Sequence, residues 1–165
     1  DLETARSWYE KAAELGDAGA MNNLGRLAYD QGDTPAARSW YEKAAELGDA
    51  GAMFNLGVLA KEAGDLETAR SWYEKAAELG DAGAMYNLGV LAQEAGDLES
   101  ARSWWEKAAE LGDAGAMYNL GVLAYDVGDT PAARSWFEKG AALGDANAMQ
   151  GLGVLAEEAG DVEQA

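Results

Sequence analysis

Between Asp65 and Gly80 the apolar residues Leu66, Ala69, Trp72, Tyr73, Ala76, Ala77 and Leu79 recur three and four apart, the spacing of one helix face. Aspartate before such a run is a preferred N-cap, because its carboxylate accepts from N–H groups that the first turn leaves unbonded. The closing glycine suits the left-handed cap position. The pattern predicts a helix, termed helix B. Asp81 then opens a second run, in which Ala84, Met85, Leu88, Gly89, Leu91, Ala92 and Ala95 share one face until Gly96. This is helix A, and its core arc centres on Leu88, Ala92, Met85 and Ala95.

The B–A pair recurs in five gapless blocks, 1–32, 33–64, 65–96, 97–128 and 129–160, followed by a stub at 161–165. The third and fourth blocks differ at only five positions, which points to recent duplication or to consensus construction. The two prolines, Pro35 and Pro131, fall in the first turn of helix B, where a missing N–H costs nothing. Two helices of about 14 residues joined by turns of about two have too little interior to stand alone, so neighbouring repeats must stack. The expected architecture is therefore an all-α helical-hairpin repeat solenoid of ten helices over residues 1–165. Trp8, Trp40, Trp72, Trp104 and Trp136 recur in the apolar stripe and are expected in the core. Gly25, Gly57, Gly89, Gly121 and Gly153 lie inside the stripe of helix A, where glycine costs about 1 kcal/mol relative to alanine. A facing Trp or Tyr ring pressed against the backbone is the expected reason. On helix B, Arg70 with Glu74 and Lys75 with Glu78 have the spacing of surface ion pairs, worth about 0.2–0.5 kcal/mol each.

Charge and composition narrow the chemistry. The 165 residues hold 30 acidic and 12 basic side chains, a net charge of −18. Such a field repels phosphate backbones and anionic lipid, so neither nucleic acid nor a membrane surface is an expected partner. With no Cys and no His, disulfides, thiolate or imidazole metal ligands, cysteine nucleophiles and histidine bases are all excluded. Carboxylates abound, but nearly every one repeats with the period, so none is singled out as a catalytic pair. The stretch Gly151-Leu-Gly-Val-Leu-Ala formally matches a dinucleotide motif, yet it lies inside helix A with no strand before it. No catalytic residue, cofactor or metal is expected. The lack of Cys suits a reducing cytoplasm, and with no membrane-spanning apolar run in the sequence a cytoplasmic chain without a signal peptide is the expectation.

The segment from Ala84 through Tyr86-Asn87-Leu88-Gly89 to Ala92, followed by Gly96-Asp97-Leu98-Glu99-Ser100-Ala101-Arg102-Ser103-Trp104-Trp105, resembles a tetratricopeptide repeat. Leu88-Gly89 matches that family's Leu-Gly, and Ala101 with Trp105 matches its Ala-x₃-Phe. The period is 32 instead of about 34, Ala92 stands for the family's Tyr, and the inter-repeat Pro is absent. The turn Lys75 to Ala84 is instead similar to that of the related Sel-like repeats. The resemblance implies a right-handed superhelix whose concave surface is lined by helix A, and hence a non-catalytic module that binds a peptide or partner helix.

The arc of helix A opposite the core carries Phe54, Tyr86 and Tyr118 in one row and Val58, Val90, Val122 and Val154 in the next, where a solvated face would hold Lys and Glu. The valines suit packing against the neighbouring helix A as well as a ligand. The aromatics are expected to be exposed, since Asn22 and Gln150 stand in their row. Asn23, Asn55, Asn87 and Asn119 form a further row, broken at Gly151, able either to grip an extended peptide backbone or to bond across the repeat junction. Arg26 and Lys61 are the basic candidates in this groove. Gln93 and Tyr125 belong to its most variable row, Tyr29/Lys61/Gln93/Tyr125/Glu157. Asp30, Glu62, Glu94, Asp126 and Glu158 make an acidic row that either attracts a basic partner segment or is simply solvated. The alternative role is a self-assembling or spacing scaffold. The array starts with a helix B and stops after a helix A, so head-to-tail stacking through its terminal helices is the contact expected for it.

Overall fold

The computed structural model describes the backbone of residues 1–164 and the side chains of residues 1–160. Its helices are α1 (Leu2–Glu14), α2 (Ala18–Asp30), α3 (Thr34–Glu46), α4 (Ala50–Glu62), α5 (Leu66–Glu78), α6 (Ala82–Glu94), α7 (Leu98–Glu110), α8 (Ala114–Asp126), α9 (Thr130–Ala142) and α10 (Ala146–Gln164). Odd numbers are helices B and even numbers helices A. There is no strand among the described residues, and the chain is an all-α array of helical-hairpin repeats.

One aspartate serves both sides of each turn. Asp81 donates its N–H to the carbonyl of Ala76, closing α5 around Gly80 at φ +87°, and its carboxylate accepts from the N–H of Ala84 at 2.7 Å, opening α6. Because Asp81 ends one helix and starts the next, the turn needs only Leu79, Gly80 and Asp81. Helices α1 to α9 have 13 residues each, one fewer than expected, with the turns one longer. Ala95 accordingly falls outside α6 and is exposed, not part of the core arc. Leu66 and Leu79, at the ends of α5, are also half in solvent. At the last repeat Gly160 does not adopt a positive φ and α10 runs on to Gln164. The first four residues of the expected stub 161–165 therefore continue that helix, while its side chains and Ala165 lie outside the described residues.

The chain divides into two compact units, Asp1–Ala84 and Met85–Ala165. In the first, each helix from α1 to α5 packs on the next, and α2 also meets α4. In the second, α7 packs on α8, α8 on α9 and α9 on α10, with α8 touching α10.

Four of the five in-stripe glycines have the expected function, Gly153 being the exception. A Cβ placed on Gly25 or Gly57 would lie 2.5 Å from the ring of Tyr41 or Tyr73, well inside van der Waals contact, and one on Gly89 or Gly121 would strike Trp105 or Phe137. These four rings are the large side chains of the core, from 0% to 3% exposed. Buried indole needs a partner, and Trp105 donates Nε1–H to the carbonyl of Tyr86 at 3.2 Å. The tryptophan row is a correction. Trp8 is 64% exposed and Trp40, Trp72, Trp104 and Trp136 are half-buried, each with the lysine three residues on placing its Nζ 4.3–4.5 Å from the ring centroid. One helical position separates a core ring from a rim ring, so the stripe alone did not distinguish them. Lys75 consequently covers Trp72 instead of pairing with Glu78.

Candidate functional site

The outward arc of helix A is built from positions that a helix exposes opposite its core stripe. In the first unit it carries Asn22, Asn23, Arg26, Phe54, Asn55 and Val58; in the second, Tyr86, Val90, Tyr118, Asn119 and Val122. Except for exposed Arg26, these side chains are half-buried, as are Asn87 and Lys61, while Gln93 and Tyr125 are exposed.

The aromatic row was expected to stand free and does not. Phe54 packs beside Gly83, where a Cβ would come within 3.3 Å of its ring, and Tyr86 beside Gly115 at 3.2 Å. Phe54 also lies 5.8 Å from Tyr73 and Tyr118 5.9 Å from Phe137, ring centroid to ring centroid. Phe54 and Tyr86 therefore each have one face on the next helix A, Tyr118 lies against Phe137 of α9, and all three leave part of their surface open. The glycine beneath each ring, which lies three residues before the same row's position in the next repeat, was not predicted from the pattern. Its signal was present in the repeat of Gly51, Gly83 and Gly115 against a much more variable aromatic row.

Within the asparagine row, Asn55 bonds across the repeat junction to Asn22 of the neighbouring row, Nδ2 donating to Oδ1 at 2.9 Å. Tyr29 and Tyr125 do likewise on the acidic row, donating their hydroxyls to Glu62 at 2.6 Å and Glu158 at 2.5 Å. These hydrogen bonds, then the carboxylate charges, hold both phenols above their ordinary pKa of 10.0. Arg26 lies 3.5 Å from Asp30 one turn along its own helix, with both side chains over half exposed. It is thus only loosely held for any incoming carboxylate.

A cavity of about 200 Å³ opens on this arc in the second unit, between α8, α9 and α10. Tyr118, Val122 and Tyr125 form one wall, Phe137 the floor, and Asn147, Gln150, Gly151 and Val154 the other wall. Asn147, Gln150 and Gly151 are departures of the last repeat, and their three- and four-residue spacing places them on one helix face.

Stacked hairpins with short turns, glycine-to-ring packing and an open helix-A arc define a helical-repeat module. The tetratricopeptide-repeat family profile matches residues 17–82 and again 86–148, and the Sel1-repeat profile matches residues 1–17. The chain belongs to the tetratricopeptide/Sel1 repeat family. A Sel1 repeat protein from Oxalobacter formigenes is similar at 34% identity and a TM-score of 0.83, over 94% of this chain and 70% of that one. The protein c5321, a protective antigen present in uropathogenic Escherichia coli strains that displays an SLR fold, is 32% identical with a TM-score of 0.79 over 87% of this chain. This chain spans 34% of the antigen's length. MamA shares the fold at 24% identity and a TM-score of 0.62, over 87% of this chain and 82% of its own. No curated protein sequence matches. Repeats of this family generally mediate protein–protein contact and are typically non-enzymatic, so the module is one for protein interaction or scaffolding. No helix among the described residues is long and apolar enough to cross a membrane.

Proposed function

We propose that the five repeats of residues 1–165 bind a peptide or partner helix along the outward arc of helix A, and do so in the cytoplasm. One observation carries the reading: Phe54, Val58, Tyr86, Val90, Tyr118 and Val122 stay partly open to solvent on an arc where a merely solvated face would be charged. Asn23, Asn87, Asn119, Lys61 and Gln93 supply polar contacts around them. Glu62 and Glu158, with Asp30 and Asp126, favour a basic segment in the ligand. Asn55 holds its neighbour Asn22 and so has less capacity left for a ligand.

Substitutions at Phe54 or Tyr86 would also disturb packing, so the test uses exposed positions. Immobilised parent and a Gln93→Arg, Tyr125→Arg variant, matched for melting temperature, are compared for recovery of partners from lysate. Loss of a specific partner by the folded variant supports the groove; equal recovery by both places the interaction elsewhere on the molecule.

A further inference from the structure

The repeats act as internal controls for one another, and only the last junction combines Asn147, Gln150 and Gly151. At the junction of α2 with α4, the positions of Gln150 and Gly151 are filled by Phe54, packed toward Gly83, and by Asn55, bonded to Asn22. At the junction of α8 with α10 the aromatic has become Gln150, which is exposed, and the asparagine has become Gly151. Gly151 also makes room for Phe137, whose ring lies 2.8 Å from where a Cβ would be. Asn147 replaces the glycine on which the preceding aromatic rests elsewhere. Asn147, Gln150 and Gly151 line the cavity together with Tyr118, Val122 and Val154. At about 200 Å³ it is smaller than the roughly 300–1,000 Å³ of small-molecule sites, and suits a single side chain.

The rim carries a negative charge. Glu158 accepts the hydroxyl of Tyr125, which lines the cavity, the Asp126 carboxylate also acts on that phenol, and no lysine or arginine lines the cavity among the described residues. We propose that this cavity is a specificity subsite that takes one aliphatic or aromatic side chain of a partner peptide, with a lysine or arginine next to it in that peptide held at Glu158. The proposal rests on the helix-A groove reading and names the chemistry of one place within it.

The test is a ¹⁵N-correlation NMR titration of the whole chain with four synthetic peptides on a Gly-Ser background. They carry at their centre Leu-Lys-Lys, Phe-Lys-Lys, Ser-Lys-Lys or Leu-Glu-Glu. The expected result is saturable shifts around Tyr118, Tyr125, Gln150 and Val154 with the first two peptides, at least tenfold weaker with the last two. Gly151→Asn refills the cavity but presses on Phe137, so Gln150→Tyr, the residue type found at this position in other repeats, is the gentler block. Either should cut affinity for the Leu-Lys-Lys peptide at least tenfold, and Glu158→Gln should cut it several-fold. Equal binding of the Ser and Leu peptides, or unchanged affinity in folded Gln150→Tyr, overturns the subsite. If shifts then persist along α2, α4 and α6, the groove survives without it; if no helix-A resonance moves with any peptide, the groove reading fails as well.

Discussion

The contact between Gly57 and Tyr73 can be weighed with two single-atom substitutions. In Gly57→Ala the new Cβ would sit 2.5 Å from the Tyr73 ring, over an ångström closer than carbon atoms pack at rest. Tyr73 is 1% exposed and has no room to retreat, so relief requires moving α5 or tilting the ring, at about 1–3 kcal/mol. Alanine returns about 1 kcal/mol of helix propensity, leaving a net loss of up to about 2 kcal/mol. Gly153→Ala has the same propensity gain with nothing within 4 Å to meet, so it should stabilise by up to about 1 kcal/mol. The difference between the two variants isolates the steric term, about 1–3 kcal/mol, or roughly 2–12 °C in melting temperature for a chain of this size. Urea melts followed by circular dichroism, fitted with a nearest-neighbour repeat scheme, would measure it. Equal stabilisation by both substitutions would refute ring approach as the reason for these glycines. Adding Tyr73→Ala to Gly57→Ala should abolish the steric penalty, since nothing then faces the new methyl.

Burial pushes Tyr41 and Tyr73 up to a pKa of about 12, the carboxylates of Asp30 and Glu62 adding to the effect. A folded-state pKa above the unfolded value gives stability that is whole below pH 10 and lost as pH rises toward 12. Alkaline melts should therefore drop over that interval by about 2–3 kcal/mol per ring, and Tyr41→Phe with Tyr73→Phe should flatten the fall. Asp49→Ala removes an N-cap bond of 2.7 Å and should cost about 0.5–2 kcal/mol in the same denaturant assay. Asn55→Ala should lower stability by about 0.5–1.5 kcal/mol through its lost bond to Asn22; no change would return the row to ligand contact alone. Lys75→Ala should cost about 0.5–1 kcal/mol and alter the fluorescence of Trp72, from whose ring its ammonium lies 4.3 Å.

Much of the candidate site was legible in one dimension because a repeat array compares each position with its equivalents. Phe54, Tyr86 and Tyr118 could be placed on one arc from spacing, and the departures at Asn147, Gln150 and Gly151 were visible as departures. That the first row rests on Gly83 and Gly115, or that the second set converges on a cavity above Phe137, depends on which helix lies opposite. Spacing within one helix contains no distance to another.

The sequence by itself determined the helices, their caps and the period, since an N-cap carboxylate, a left-handed glycine and a three-to-four spacing act within a few residues. It also determined that histidine and cysteine chemistry is absent. The tertiary structure alone decided which ring of each Trp-Tyr, Trp-Trp or Trp-Phe pair is core. Neighbouring helix positions point about 100° apart. Only the approach of Gly57 or Gly89 from the preceding helix A selects Tyr73 or Trp105 for burial, leaving Trp72 and Trp104 at the rim under their lysines.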